Sequence, residues 1–229
     1  MDVQIMHKDQ LPPGGFAGLK EKQLVVDERL WNGPDAAWDG LGNLVYLADA
    51  NFLPKGQTNM HPHREVDVIS VMVDGRISHE GSLEHGKSLT ANQAQVQRAG
   101  GEGFEHNEVN PDDIPNRMIQ LWVLPETPGE PAGYKFFDLN LGHITRIHGG
   151  ASRQSDTFAS KTILEIARLE KGQTIERSGS FIAYVVRGDG RASNVAVMDG
   201  NMVRGTGLTF EASATDTMVI VVTISNEGE

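Results

Sequence analysis

Two parts of the chain are written in the same order, and this internal repeat restricts the fold more than any other feature. Leu53-Pro54-Lys55-Gly56-Gln57-Thr58 matches Leu169-Glu170-Lys171-Gly172-Gln173-Thr174 at five of six positions. Each copy continues into an apolar, β-branched segment that ends at a glycine turn, VISVMVDGRIS in the first and FIAYVVRGDGRAS in the second. Further on, Phe104-Glu105-His106 corresponds to Phe210-Glu211-Ala212, and the apolar segment 118–124 to 218–224. Each match alone is short, and K-G-Q-T is a common way to start a turn. Their shared order predicts an internal duplication whose loops differ in length.

The repeated vocabulary is that of β-structure. Residues 66–73, 118–124, 161–169, 181–186 and 218–224 are rich in Val and Ile, and several end at turn signals such as Asp74-Gly75. Shorter strands are expected at 24–26 and 44–47. A further strand at 134–141 is expected to close or bridge the first unit. The polar region 152–160 reads as loop or short helix. With 26 glycines and 10 prolines, the chain favours tight turns over long helices. A length of 229 residues suits one large domain or two of ~110 residues each. The repeat and the linker-like ETPGEPAG stretch place two consecutive all-β barrels at residues 1–140 and 141–229. Closed barrels also solve the exposed-edge problem of so many strands.

Charge and composition exclude several functions. The formal charge of −11 repels phosphate backbones, so no nucleic-acid partner is expected. The absence of cysteine removes disulfide scaffolds, thiolate metal sites and a cysteine nucleophile. No cationic segment followed by an apolar core opens the sequence, and no apolar run approaches the ~20 residues of a membrane span. A cytoplasmic protein with no membrane partner is the expectation, and a monomer is preferred.

The eight histidines are unevenly spread, and none follows His148. His61-Pro62-His63 places two imidazoles at i and i+2, and His106-Asn107-Glu108 places an imidazole and a carboxylate in the same relation. On strands, such positions share a face. Two such strands facing each other inside a small barrel would bring His61, His63, His106 and Glu108 to one point. That donor set suits iron, manganese, nickel, copper or zinc. The bland alternative is that these are surface or packing histidines. His79 and His85 flank a loop and read as solvated or as supports for the ligands. His7, His143 and His148 carry no pattern.

The order G-x4-H-P-H, strand to D-G, loop, H-x-E and Q-L-W-V, carried by residues 56–125, resembles the pirin family of bicupins. His79-Glu80-Gly81-Ser82-Leu83 resembles that family's loop after the central strand, and residues 120–125 its Q-L-W-V-x-L-P segment. The resemblance implies two cupin-type barrels, with the metal held in the first by His61, His63, His106 and Glu108. It implies one ion, iron(II) first, with Mn, Ni, Cu or Zn open. It departs at Asp67, where glutamate is usual, and at Glu105-His106-Asn107-Glu108, which is closer to a divergent bacterial branch. For function, the resemblance implies a dioxygenase similar to quercetin 2,3-dioxygenase, using O2 and a small aromatic substrate, with Glu108 as ligand and base. The alternative is a non-catalytic regulatory protein whose partner is another protein. Gln120 and Asp67 are candidates to orient the imidazoles.

Overall fold

The computed structural model describes residues 3–83, 86–151 and 155–225. Its strands in chain order are β1 (Gln4–His7), β2 (Leu19–Val26), β3 (Leu44–Phe52), β4 (His61–His63), β5 (Asp67–Asp74), β6 (Arg76–Gly81), β7 (Ser88–Thr90), β8 (Gln93–Arg98), β9 (Phe104–Val109), β10 (Arg117–Val123) and β11 (Gly133–Asp138). They continue as β12 (His143–Gly150), β13 (Ser160–Leu169), β14 (Thr174–Arg187), β15 (Asp189–Ala192), β16 (Val195–Met198), β17 (Asn201–Ala212) and β18 (Thr217–Ile224). Among the described residues no helix is long and apolar enough to cross a membrane.

Two compact units emerge. One is Leu11–Asp138 and contains the paired histidines; the other comprises the residues up to Gln10 and from Leu139 onward. Residues 3–10 thus belong with the second unit and not with the first, because β1 pairs with β17 from Gln4↔Arg204 to His7↔Asn201. Nothing in the apolar pattern of Gln4–His7 announces that partner, which lies some two hundred residues away.

The histidine unit has a six-stranded sheet, β11-β8-β5-β10-β3-β2, and a four-stranded sheet, β4-β9-β6-β7. β5 is central, and all but its last residue are buried. It ends at Gly75, whose φ of 72° only glycine adopts without strain and whose Cβ would meet Asn116 at 2.8 Å. The core at one end of this unit joins Leu19, Ala50, Met72 and Met118 of the larger sheet to Ile77 and Leu89 of the smaller.

The second unit repeats these pairings in one eight-stranded sheet. β13-β18-β14-β17 reproduces β3-β10-β5-β8, and β15 pairs with β17 as β6 pairs with β9. Gly188, at φ 81°, ends the central strand as Gly75 does. The duplication predicted from K-G-Q-T is therefore present as topology, and the chain is an all-β bicupin.

Expected strands are found, with shifted ends. β2 begins at Leu19, five residues before the expected strand, and β11 ends at Asp138, short of 141. β11 pairs only with β8, at the edge of the six-stranded sheet. In the polar region, residues 152–154 lie outside the described residues, and 155–159 form bends and loop.

Candidate metal centre

β4 is a three-residue edge strand, where a central proline costs no ladder hydrogen bond. Its register with β9 sets His61 opposite His106, Pro62 opposite Glu105 and His63 opposite Phe104. Partners directly opposite share a face, so both H-P-H imidazoles, His106 and, two residues on, Glu108 point into the unit. Pro62 and Glu105 are exposed on the other face. The loop before β4 is stitched to β9: Glu108 N–H donates to Thr58 Oγ1 at 3.0 Å, and Thr58 N–H to the Glu108 carbonyl at 3.0 Å.

Three imidazoles converge through their Nε2 atoms. His106 Nε2 lies 3.1 Å from His63 Nε2 and 3.1 Å from His61 Nε2. The donor atoms of these three residues all lie within 4.8 Å of one another. His61 Nδ1 donates to the Asn59 carbonyl at 2.8 Å, which leaves the Nε2 lone pair free to face its neighbours. Burial holds His63 down to about 4, helped by His61 and His79. Burial, then His63, His79 and His61, holds His106 far below the ordinary histidine value. Burial thus keeps His63 and His106 neutral, and the Nε2 atoms of all three rings face one point.

Glu108 shares this interior, but its carboxylate stands outside the three-nitrogen group. Oε1 accepts a hydrogen bond from Ser70 Oγ at 2.9 Å. Burial pushes its pKa up to about 7, against the Ser70 bond that lowers it.

His79 is fully buried, opposite Glu108 on β6, with Nε2 2.6 Å from His106 Nδ1. It was legible only as a loop residue or a support. The signal that places it inside is Ile77, two residues earlier on the same face. Ser70, which sequence reasoning missed, sits between Val68 and Met72 at the same parity of β5.

The two expected orienting residues behave differently. Asp67 is buried in an ion pair with Arg98, 2.9 Å between Oδ2 and Nη2, and Glu130 also contacts that guanidinium. It holds strands together, away from the imidazoles. Gln120 faces the cavity, and its side chain makes no hydrogen bond among the described residues. His7 and His143 bond the carbonyls of Asp199 and Leu141, and buried His148 bonds that of Thr162. His85 lies outside the described residues.

The cluster opens on a cavity of about 220 Å³. Tyr46, Trp122 and Trp31 form one aromatic wall, with ring centroids 4.8 to 5.8 Å apart. The donor set fits a divalent transition metal. Nitrogens 3.1 Å apart are what two ligands of one ion make when bonds of about 2.0–2.1 Å lie near a right angle. Imidazole nitrogen is a donor that suits iron, nickel, copper and zinc.

Two duplicated β-barrel units, with imidazoles convergent in one of them, define a bicupin. The chain belongs to the pirin family. Residues 40–123 match the family profile described as Pirin. A pirin-like protein of Caulobacter vibrioides is 30% identical over 186 residues, covering 76% of this chain and 78% of that one. The bacterial pirin YhhW of Escherichia coli, solved in complex with nickel(II), superposes with a TM-score of 0.82 at 16% identity, covering 97% of this chain and 99% of that. A quercetin 2,3-dioxygenase from Acinetobacter baumannii gives 0.71 at 17% identity, covering 99% and 87%. The matched region spans 59% of a Pseudomonas aeruginosa relative, and 34% and 35% of relatives from Zymomonas mobilis and Pasteurella multocida.

Proposed function

We propose that this protein is a metal-dependent dioxygenase acting on a small aromatic hydroxyl compound. Its ion is held by His61, His63, His106 and Glu108, and iron(II) is the first candidate. The observation that carries the reading is the convergence of three imidazoles at the end of an aromatic-walled cavity. The name borne by the Acinetobacter structure and the nickel in the Escherichia coli pirin point the same way.

Bound there, the ion would supply Lewis acidity that lowers the pKa of a coordinated hydroxyl and the redox chemistry that dioxygen needs. The chain supplies the rest. Glu108 accepts the proton from the substrate hydroxyl, and the hydrogen bond from Ser70 fixes the orientation of its carboxylate. His79 fixes the ring of His106 through Nδ1. Phe104 and Trp122, each packed on His63, exclude water.

Anaerobic purification followed by elemental analysis tests the site. We expect a near-stoichiometric transition metal, lost in His63→Ala and reduced in Glu108→Ala without unfolding, and O2 consumption with a flavonol or simpler phenol. Metal unaffected by both substitutions removes the four-ligand site. Stoichiometric metal with no O2 consumption across the phenols replaces the enzyme reading with that of a regulatory protein binding a protein partner.

A further inference from the structure

The cavity holds more polar chemistry than a metal site requires. β2, β3 and β10 turn alternate residues inward, and their register arranges these in rows: Glu21, Ala50 and Met118 in one, Gln23, Ala48 and Gln120 in the next. Ala50, small and fully buried, leaves room in the floor beside Glu21. Glu21, only 8% exposed, accepts from Tyr46 Oη at 2.8 Å and from Gln23 Nε2 at 2.8 Å. A carboxylate has about four acceptor positions, so two remain. The half-buried Gln120 amide makes no side-chain hydrogen bond among the described residues and offers a further polar group on the same floor. Glu21, Gln23, Ala50, Met118 and Gln120 line the same cavity as the imidazoles, but they stand on the opposite sheet.

We infer that Glu21 is a second recognition pole, and that the cavity takes a planar phenol of one or two rings with a hydroxyl at each end. One hydroxyl faces the imidazoles and the other donates to Glu21. This rests on the reading of the cavity as a substrate site, but not on the oxygen chemistry. An acceptor-only group selects a donor and repels an anion, so a ligand with a carboxylate at that end is rejected. Tyr46 and Trp122, with ring centroids 4.8 Å apart, give the cavity an aromatic wall against which a flat ring packs. The volume of about 220 Å³ lies below the ~300–1,000 Å³ that encloses a drug-sized ligand. A three-ring flavonol therefore exceeds the enclosed space, whereas a naphthalene-sized diol fills it.

The test is calorimetric titration of the protein loaded with nickel(II), kept anaerobic so that no turnover intervenes. Three probes differ only at one end: naphthalene-2,6-diol, 2-naphthol and 6-hydroxy-2-naphthoate. The diol should bind about tenfold more tightly than 2-naphthol, equivalent to about 1.4 kcal/mol, and the carboxylate most weakly. Glu21→Gln should cost the diol that tenfold, leave 2-naphthol unchanged and improve the carboxylate. Diol and 2-naphthol bound within twofold of each other by the wild-type protein, or weakened equally by Glu21→Gln, would overturn the inference. The wild-type probe series needs no variant to fold. If the ranking holds but no O2 is consumed with iron(II), the dioxygenase reading falls and this one stands. If O2 is consumed but the ranking fails, the dioxygenase stands and the second pole at Glu21 falls.

Discussion

At the scale of single residues, the centre sets two buried groups against each other, and their pH dependences have opposite signs. Glu108 titrates near 4.5 unfolded and is pushed up to about 7 by burial. Between those values the folded, metal-free protein keeps a proton that the unfolded chain has lost. That stability is full below pH 4.5 and disappears as pH rises through 7, amounting to roughly 3 kcal/mol for a shift of this size. His63 runs the other way. Its value falls from 6.5 to about 4, so its contribution is present above 6.5 and lost as pH falls toward 4. Metal-free Glu108→Gln should therefore resist urea better than the wild type at pH 8, with the advantage shrinking at pH 5. Equal midpoint differences at the two pH values would show that burial does not penalise this carboxylate. His79 is tested separately. Since it fixes the ring of His106, His79→Ala should weaken metal binding by about 10- to 100-fold, measured by competition with a chromogenic chelator, and His79→Gln should recover part of that loss. Unchanged affinity in His79→Ala would make it a packing residue.

The strands explain why the sequence reads well in some places and poorly in others. β5 and β18 bury both faces, so their apolar runs are visible without any structure. β2 and β8 carry Lys20-Glu21-Lys22-Gln23 and Gln93-Ala94-Gln95-Val96-Gln97, and polar residues such as Glu21, Gln95 and Gln97 are buried, so the period-2 apolar signal is weak where the strands are. The H-P-H and H-x-E pairs were readable because i, i+2 spacing survives any register. Which residues of the facing strands turn toward them was not, and with that went Glu21, Ser70 and the aromatic wall. The same alternation makes a prediction about β3. Ala50 lies on its inward face, fully buried and lining the cavity. Ala50→Leu should fill the floor, abolish binding of aromatic ligands and leave the metal in place, at about 1–3 kcal/mol of overpacking. Calorimetry with naphthalene-2,6-diol, beside elemental analysis of the same sample, reads both. Loss of metal together with ligand would mean that the floor and the imidazoles are not separable.

In the molecule as a whole, one copy of a duplicated fold keeps the donors and the other has a filled interior. Leu208, Phe210 and Ala212 alternate along β17 within a cluster completed by Val203, Phe181, Ala183 and Val219. Ala212 stands where the sequence repeat aligns His106, so an apolar methyl replaces the imidazole on which the others converge. This asymmetry was legible from histidine count alone, whereas the assignment of β1 to the second unit was not. Every proposed ligand lies between His61 and Glu108, inside the unit Leu11–Asp138. Binding energy therefore enters through that unit. At free metal 100-fold above its dissociation constant, the linked stabilisation is about 2.7 kcal/mol. Hydrogen exchange of the metal-loaded and chelated protein should show added protection concentrated in β4, β6 and β9, with β13, β14 and β18 unchanged. In His63→Ala the two exchange maps should coincide. Protection gained equally in β14 and β18 would mean that the second copy, despite its apolar filling, takes part in holding the ion.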